Sequence, residues 1–194
     1  MNQPGPDTVT DDDLAFRFVT AQLSLAFTAT LGERWNRRIE RLQAPADLGR
    51  WLTESGLLQH PVRVRPTDLE AARRLREAIY QAARRVIAGA HPSDADQQTI
   101  NSFAAVTPLA PELTAHGVRW APSSLTAPAA LSWLARDAIH LLGSTDRTTL
   151  RECANEKCGL LFTDTSRPRS RLWCSSERCG SAARSAEYRR RHKG

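Results

Sequence analysis

Apolar residues recur at helical spacing along most of the first 150 residues of the chain. The clearest run lies between Pro66 and Gly89, and its apolar positions are Leu69, Ala72, Leu75, Ile79 and Val86. These positions fall on one face of an α-helix. Thr67 and Glu70 have the spacing of a capping box, and Gly89 is a typical helix terminator. We therefore predict a long amphipathic helix between Pro66 and Gly89.

Shorter apolar patterns predict four more helices, at residues 27–42, 46–52, 93–103 and 126–143. Ser93 and Thr126 are the expected N-caps of the last two, and Pro128 suits a first helical turn. Between these two helices, residues 117–120 have the composition of a short strand, in a region punctuated by prolines. The first part of the chain is therefore predicted to be a mainly α-helical domain with a small β element.

The pattern changes after Leu150. Residues 160–163 and 170–173 predict two strands of a β-hairpin around an Arg-Pro-Arg turn. Ser175 and Ser176 are expected to cap a helix that continues to about His192. Because such a small unit has little apolar core of its own, a bound metal would supply most of its folding free energy.

All four cysteines of the chain lie in this segment, as two C-x4-C pairs within two similar heptads: Cys153, Cys158, Cys174 and Cys179. Two such pairs suit one tetrahedral Zn²⁺ with four thiolate ligands. Disulfides are the alternative, and a reducing compartment favours the metal. Because four thiolates leave no coordination position for water, the zinc is expected to be structural, and we expect no enzymatic activity.

Three regions are predicted: a flexible N-terminus at 1–13, the helical domain at 14–148 and the cysteine-rich finger at 149–194. The N-terminus lacks the basic and apolar segments of a secretory signal, and no apolar run approaches the ~20 residues that span a bilayer. We therefore expect a cytoplasmic protein without a membrane partner.

The two folded regions differ in net charge. Residues 1–150 contain 16 Arg and no Lys against 16 Asp and Glu, whereas residues 151–194 contain 11 Lys and Arg against 5 Asp and Glu. Four thiolates with one Zn²⁺ contribute a formal −2, which reduces the +6 of the C-terminal region to +4. A basic region beside a neutral domain indicates a polyanionic partner, and DNA is the expected one.

Candidate DNA contacts are the basic residues of the finger and one tyrosine: Arg167, Arg169, Arg171, Arg184, Tyr188, Arg189, Arg190 and Arg191. The first three alternate, so an extended segment would point them to one side. Arg184, Tyr188 and Arg191 have the spacing of one helix face. Phosphate contact is one interpretation, and a solvated tail that aids solubility or packs on acidic groups is the other.

The finger resembles a known family. Residues 153–167, 171–175 and 179–180 are similar to the CGNR zinc finger, which in a bacterial family follows a helical module called the ABATE domain. The similarity extends, more loosely, to the N-terminal segments 27–34, 46–52 and 72–78. The resemblance implies a stress-responsive transcription regulator. The Asn and Arg of the motif are replaced here by Ser181 and Ala182, so any readout role of that pair is lost.

The sequence thus favours a zinc-dependent DNA-binding regulator whose N-terminal domain senses a small-molecule effector, forms a homodimer, or does both. A zinc-stabilised protein-interaction module without specific DNA binding is the first alternative. A thiol redox sensor is the second, and it requires accessible cysteines of low pKa. Chelation is expected to unfold the finger while residues 1–150 keep their helicity.

Overall fold

The computed structural model describes residues 8–192, and within that range the chain is mostly helical. Seven α-helices form there: α1 (Asp11–Leu14), α2 (Leu23–Thr28), α3 (Pro45–Glu54), α4 (Pro66–Ile87), α5 (Asp94–Ala104), α6 (Ala127–Gly143) and α7 (Ser181–Arg191). The longest, α4, has 22 residues and contacts α2, α3, α5 and α6. It is the helix around which the N-terminal domain packs.

Six short strands pair as three separate antiparallel sheets in the described part of the chain: β1 (Leu31–Gly32) with β2 (Ile39–Glu40), β3 (Pro111–Thr114) with β4 (Gly117–Trp120), and β5 (Leu150–Glu152) with β6 (Leu161–Thr163). Leu31 lies opposite Glu40, and Arg151 lies opposite Phe162. A π-helical turn, Ser176–Gly180, leads directly into α7. The sheets are thus small additions to a helical framework.

Most predicted helices are confirmed, as α3, α4, α5 and α6, and the predicted strand is β4. Ser93 Oγ accepts a hydrogen bond from Asp96 N at 3.2 Å, and Thr126 Oγ1 accepts one from Ala129 N at 3.2 Å. Both predicted N-caps are therefore present. The predicted fold class, a mainly α domain followed by a four-cysteine finger, is confirmed.

The helix predicted over residues 27–42 is wrong. Helix α2 ends at Thr28, and β1 and β2 follow as a hairpin whose connection contains Glu33 and Arg38 at positive φ. Two arginines satisfy the carbonyl groups that the helix would otherwise use: Arg34 Nη2 donates to Thr28 O, and Arg41 Nη1 donates to Ala29 O. These side-chain donors take the place of the backbone donors of a further helical turn. The segment after Thr28 therefore forms a hairpin, although its apolar residues have the spacing of a helix.

The capping box predicted for Thr67 and Glu70 is also wrong. Helix α4 begins at Pro66 with Arg65 as its N-cap, and the Asp68 carboxylate accepts a hydrogen bond from Arg65 N at 2.9 Å. The proline in the first turn fixes the start of the helix earlier than the Thr-x-x-Glu pattern suggests.

The finger's hairpin differs from the predicted one. Strand β6 pairs with β5, which precedes the first cysteine pair, and residues 170–173 form no strand. The Asp164 carboxylate accepts hydrogen bonds from Ser166 N at 3.0 Å and from Arg171 N at 2.9 Å. Residues 164–171 therefore close a loop around this buried carboxylate instead of extending along the sheet.

The finger packs directly against the helical domain. Leu150 and Leu161 of the hairpin are buried in one cluster with residues of α2, α4 and α6, namely Leu25, Tyr80, Ala83 and Leu141. A larger cluster of the helical domain is separate from it and contains Trp51, Leu75 and Leu134. The two predicted regions thus share apolar core, although the boundary at residue 148 stays a prediction.

The described chain starts next to the finger rather than apart from it. Residues 1–7 and 193–194 lie outside the described range. Residues 8–10 lead into α1, and Asp12 of that helix pairs with Arg178 of the finger at 2.9 Å. No helix of the described part is both long and apolar enough to span a bilayer.

Candidate metal centre

The four cysteines come together in the structure. Their Sγ atoms all lie within 4.8 Å of one another. Cys174 Sγ is 3.7 Å from Cys158 Sγ and 3.6 Å from Cys179 Sγ. A tetrahedral Zn²⁺ with Zn–S bonds of about 2.3 Å requires sulfurs about 3.8 Å apart. The cluster therefore has the dimensions of a tetrathiolate zinc site.

The first pair lies in the connection between β5 and β6. Cys153 N donates to Leu160 O at 2.8 Å, and Cys158 N donates to Asn155 O at 2.8 Å. These bonds close a tight turn that returns to β6 through Gly159, whose φ is +66°. These hydrogen bonds thus hold the first two sulfurs within one short loop.

The second pair lies where the loop after Asp164 enters the last helix. Cys174 N points at Cys153 Sγ, 3.5 Å away, an amide contact that favours a charged sulfur. Ser175 Oγ accepts a hydrogen bond from Arg178 N at 3.3 Å, which confirms its predicted capping role. Cys179 lies within the π-helical turn that follows, so its position is coupled to the start of α7.

The sulfurs cannot all carry a charge at this spacing without a cation. Hydrogen bonds with Cys158 and Cys174 hold the pKa of the Cys153 thiol far below its ordinary range. The same contacts with Cys153 raise the pKa of Cys158 and of Cys174 well above it. A bound divalent cation would take the place of these protons, because zinc binds cysteine as thiolate.

These observations fit a structural zinc. Cys153, Cys158, Cys174 and Cys179 are all buried, and Phe162 lies in the same apolar cluster. The four cysteines form a zinc-finger site that suits one Zn²⁺, which they would hold as a closed tetrathiolate. Burial does not favour a redox sensor, which needs accessible thiols.

Arg171 does not lie on the surface that its alternation predicts. Its Nε donates to Trp173 O at 2.8 Å, its Nη2 donates to Cys174 O, and the guanidinium stacks over the Phe162 ring at 4.6 Å. Arg167 lies in the predicted Arg-Pro-Arg turn and Arg169 has φ +47°, so these positions do not form an extended segment that would point the three arginines to one side. Arg167 and Arg169 are exposed, whereas Arg171 supports the metal loop.

The helical candidates do share one surface. Arg184, Tyr188 and Arg191 line a shallow groove on α7 together with Trp173 of the finger loop. Arg189 and Arg190 are exposed beside it. Glu187 pairs with Arg190 and, at 2.8 Å, with Arg191, so two of the basic groups are partly neutralised.

Sequence reasoning missed the residues that bind the finger to the helical domain. Glu152 Oε1 accepts from Trp35 Nε1 at 3.0 Å and from Tyr80 OH at 3.4 Å, and Glu152 Oε2 accepts from Arg84 Nε at 3.2 Å. These partners are 68 to 117 residues away from Glu152 along the chain. No local pattern in a single sequence connects positions so far apart.

Two family models match the chain. Residues 21–145 match the ABATE model, described as "Putative stress-induced transcription regulator", and residues 149–192 match the CGNR zinc finger. No curated protein matches the chain. Neither matching family is a catalytic one. Because the ABATE model covers more than half of its length, this chain belongs to the ABATE family of transcription regulators and carries a CGNR zinc finger at its C-terminal end.

Proposed function

We propose that this regulator binds DNA through the helix that follows its zinc centre. The observation that supports this is the exposure of α7, which has no buried residue although it leaves directly from the metal site. Its side chains include four arginines against Glu187, a formal +3. An unburied basic helix is not needed to complete the protein's own core, and it suits a polyanion.

Zinc would fix this helix. Cys179 lies in the π-helical turn that continues into α7, so its metal bond would hold the helix root. The hairpin that carries the first cysteine pair is packed on the helical domain. The metal would therefore set the direction in which α7 projects from the whole molecule, and its loss would remove that direction.

Within α7, different side chains suit different contacts. Arg189, Arg190 and Arg191, with Arg167 and Arg169 of the preceding loop, suit phosphates, which position a protein without selecting sequence. Tyr188 is exposed and stacks on His192 with ring centroids 4.1 Å apart, so this aromatic pair is available to a base.

The helix start offers one replacement for the missing Asn-Arg pair. Ser181 and Ala182 are both exposed in the first turn of α7. The Arg184 guanidinium folds back toward that turn, with Nη2 at 3.3 Å from Ser176 O and 3.4 Å from Ser181 Oγ. Arg184 is thus the basic group best placed for base contact at this end of the helix.

The decisive experiment is a genomic selection with zinc-loaded full-length protein at physiological salt. Sheared DNA of the source organism is captured, sequenced and compared with the input. A small number of strongly enriched sites is the expected result. A flat profile from folded, zinc-loaded protein would contradict specific binding and favour the protein-interaction module.

Variants then test the surface itself. Replacing Arg184 and Arg189 by Gln should weaken binding to an enriched site and lower the slope of log K against log salt by about 1 for each phosphate that the protein no longer neutralises. The matched control replaces Arg63 and Arg119, two arginines outside the finger, and removes the same charge. An equal weakening in both double variants would mean that α7 is not the surface that binds DNA.

A further inference from the structure

A cavity lies between the helical domain and the finger, beside the metal centre. Its volume is about 250 Å³. The helical domain contributes Arg17, Gly32 and Arg41, and the finger contributes Lys157 and Arg178 together with three of the clustered cysteines. Basic groups from both regions of the chain therefore line the cavity, together with the carboxylates of Asp13 and Glu33.

Arg41 is the unusual residue of this cavity. It is only 6% exposed, and two of its nitrogens are engaged: Nε donates to Ala15 O and Nη1 to Ala29 O, each at 2.9 Å. Within residues 8–192, its Nη2 has no hydrogen-bond acceptor and the guanidinium has no carboxylate partner. A buried charge without a partner is costly to the folded state.

The neighbouring charges offset that cost only in part, because Asp13 and Glu33 favour the charged guanidinium whereas Arg17 and Arg178 oppose it. Arg17 and Arg178 both pair with Asp12, at 3.2 and 2.9 Å. Asp13 and Glu33 are both bound by Arg37, each at 2.8 Å. Burial, with repulsion from Arg17, lowers the pKa of Arg41 to about 10. The nearby carboxylates are thus committed to other arginines.

The guanidinium is held in place by the local backbone. A Cβ on Gly32 would lie 2.8 Å from Arg41 Nη2, so glycine leaves the space in which the side chain lies. With its inner nitrogens fixed by two carbonyl groups, the side chain presents its remaining donors without further ordering. This is the preorganisation that tight binding of a small group requires.

We propose that this cavity binds a small anionic metabolite through a carboxylate or phosphate group held by Arg41. The planar guanidinium matches either group geometrically, and both form charge-assisted hydrogen bonds. Lys157 supplies further positive charge from the finger and would partly offset the −2 of a zinc-loaded tetrathiolate at the adjoining wall. The ligand would bridge the helical domain and the finger, and its binding does not depend on the proposed DNA contact.

The test is isothermal titration of the zinc-loaded full-length protein with succinate and, separately, with inorganic phosphate. Saturable binding of one of these probes at one site per chain is expected. Arg41→Gln should weaken that binding at least tenfold, and Arg119→Gln, which removes an exposed arginine outside the cavity, should leave it unchanged. Circular dichroism and zinc content establish that each variant is folded and loaded.

A second variant covers the case in which Arg41→Gln does not fold. Lys157 is exposed at the cavity wall, so Lys157→Gln should keep the fold and still weaken binding several-fold. No saturable binding of either probe to the wild-type protein at millimolar concentration would overturn the proposal. Binding that neither cavity variant weakens would overturn it too. So would loss of zinc from Arg41→Gln without anion binding by the wild type, because Arg41 would then serve only as a counter-charge to the metal centre.

Discussion

Replacing Leu161 by Ala tests whether the finger and the helical domain are one stability unit. Leu161 is fully buried, in the apolar cluster that joins β5 and β6 to α2, α4 and α6. Truncating a buried leucine to alanine costs about 3 kcal/mol, because apolar burial is removed and a cavity remains. Leu172, in the same finger, is 60% exposed, and Leu172→Ala should cost less than about 0.5 kcal/mol.

The assay is urea unfolding of zinc-loaded protein, followed by far-ultraviolet circular dichroism and by zinc release to a chromophoric chelator. The dichroism signal comes mainly from the N-terminal helices. With a slope of about 2 kcal/mol per molar urea, a loss of about 3 kcal/mol lowers the helical midpoint by about 1.5 M. Leu172→Ala should leave both midpoints within error of the wild type.

An unchanged helical midpoint in Leu161→Ala, with earlier zinc release, would refute the reasoning. The finger would then unfold alone, as the sequence suggested when it placed the metal in a self-contained unit. If the shared cluster governs stability, chelation of zinc should also lower the helical midpoint instead of leaving residues 1–150 unaffected.

Three further outcomes are expected. Gly159→Ala should cost about 1–3 kcal/mol in urea unfolding followed by tryptophan fluorescence, because φ is +66° and the new Cβ would lie 3.0 Å from Trp35 Nε1. Arg171→Gln should reduce zinc retention in a chelator competition without changing the salt slope of DNA binding, since Arg171 bonds backbone carbonyls beside Cys174. Asp13→Asn should remove an acid-sensitive part of stability: hydrogen bonds from Arg37 lower the pKa of Asp13 from 3.8 to about 2, so the wild-type contribution is present above pH 3.8 and disappears as pH falls toward about 2.

Each of these outcomes has a matched comparison. Gly56→Ala also introduces a side chain at positive φ but meets no atom within 4 Å, so it separates backbone strain from the clash with Trp35. Arg167→Gln removes an exposed finger arginine and should spare zinc retention. Asp11→Asn removes an exposed carboxylate of the same helix. If either charge control behaves like its partner variant, the contact named for that partner is not the cause.

Local signals predicted the helices well because their causes are local. Ser93 and Thr126 cap the helices that follow them, and the apolar face of α4 is complete within 22 residues. The cysteine spacing likewise predicted the metal cluster, since each pair closes its own turn. Where the backbone hydrogen bonds of a short segment are made within that segment, the sequence alone predicts its structure.

The errors arise where a distant group decides the structure. The helix predicted past Thr28 is replaced by a hairpin because Arg34 and Arg41 donate hydrogen bonds to carbonyl groups at the end of α2. Arg34 is in turn held by Glu77 of α4, with Arg34 Nη1 2.6 Å from Glu77 Oε2. The strand predicted at 170–173 is absent because β5 takes its place beside β6. Arg171 was expected on the surface, and only the folded loop shows that its guanidinium lies over Phe162.

The π-helical turn at the start of α7 is a point where a small rotation would displace the far end of the helix. The 11 residues of the helix span about 16 Å, and none of them is fully buried. A tilt of ~10° where Cys179 is anchored would move the far end by about 3 Å, the length of one hydrogen bond. The cavity beside the metal centre lies at the start of this helix. A shift there that is too small to alter the packed domain would therefore produce a larger displacement of the arginines in the last turn of α7.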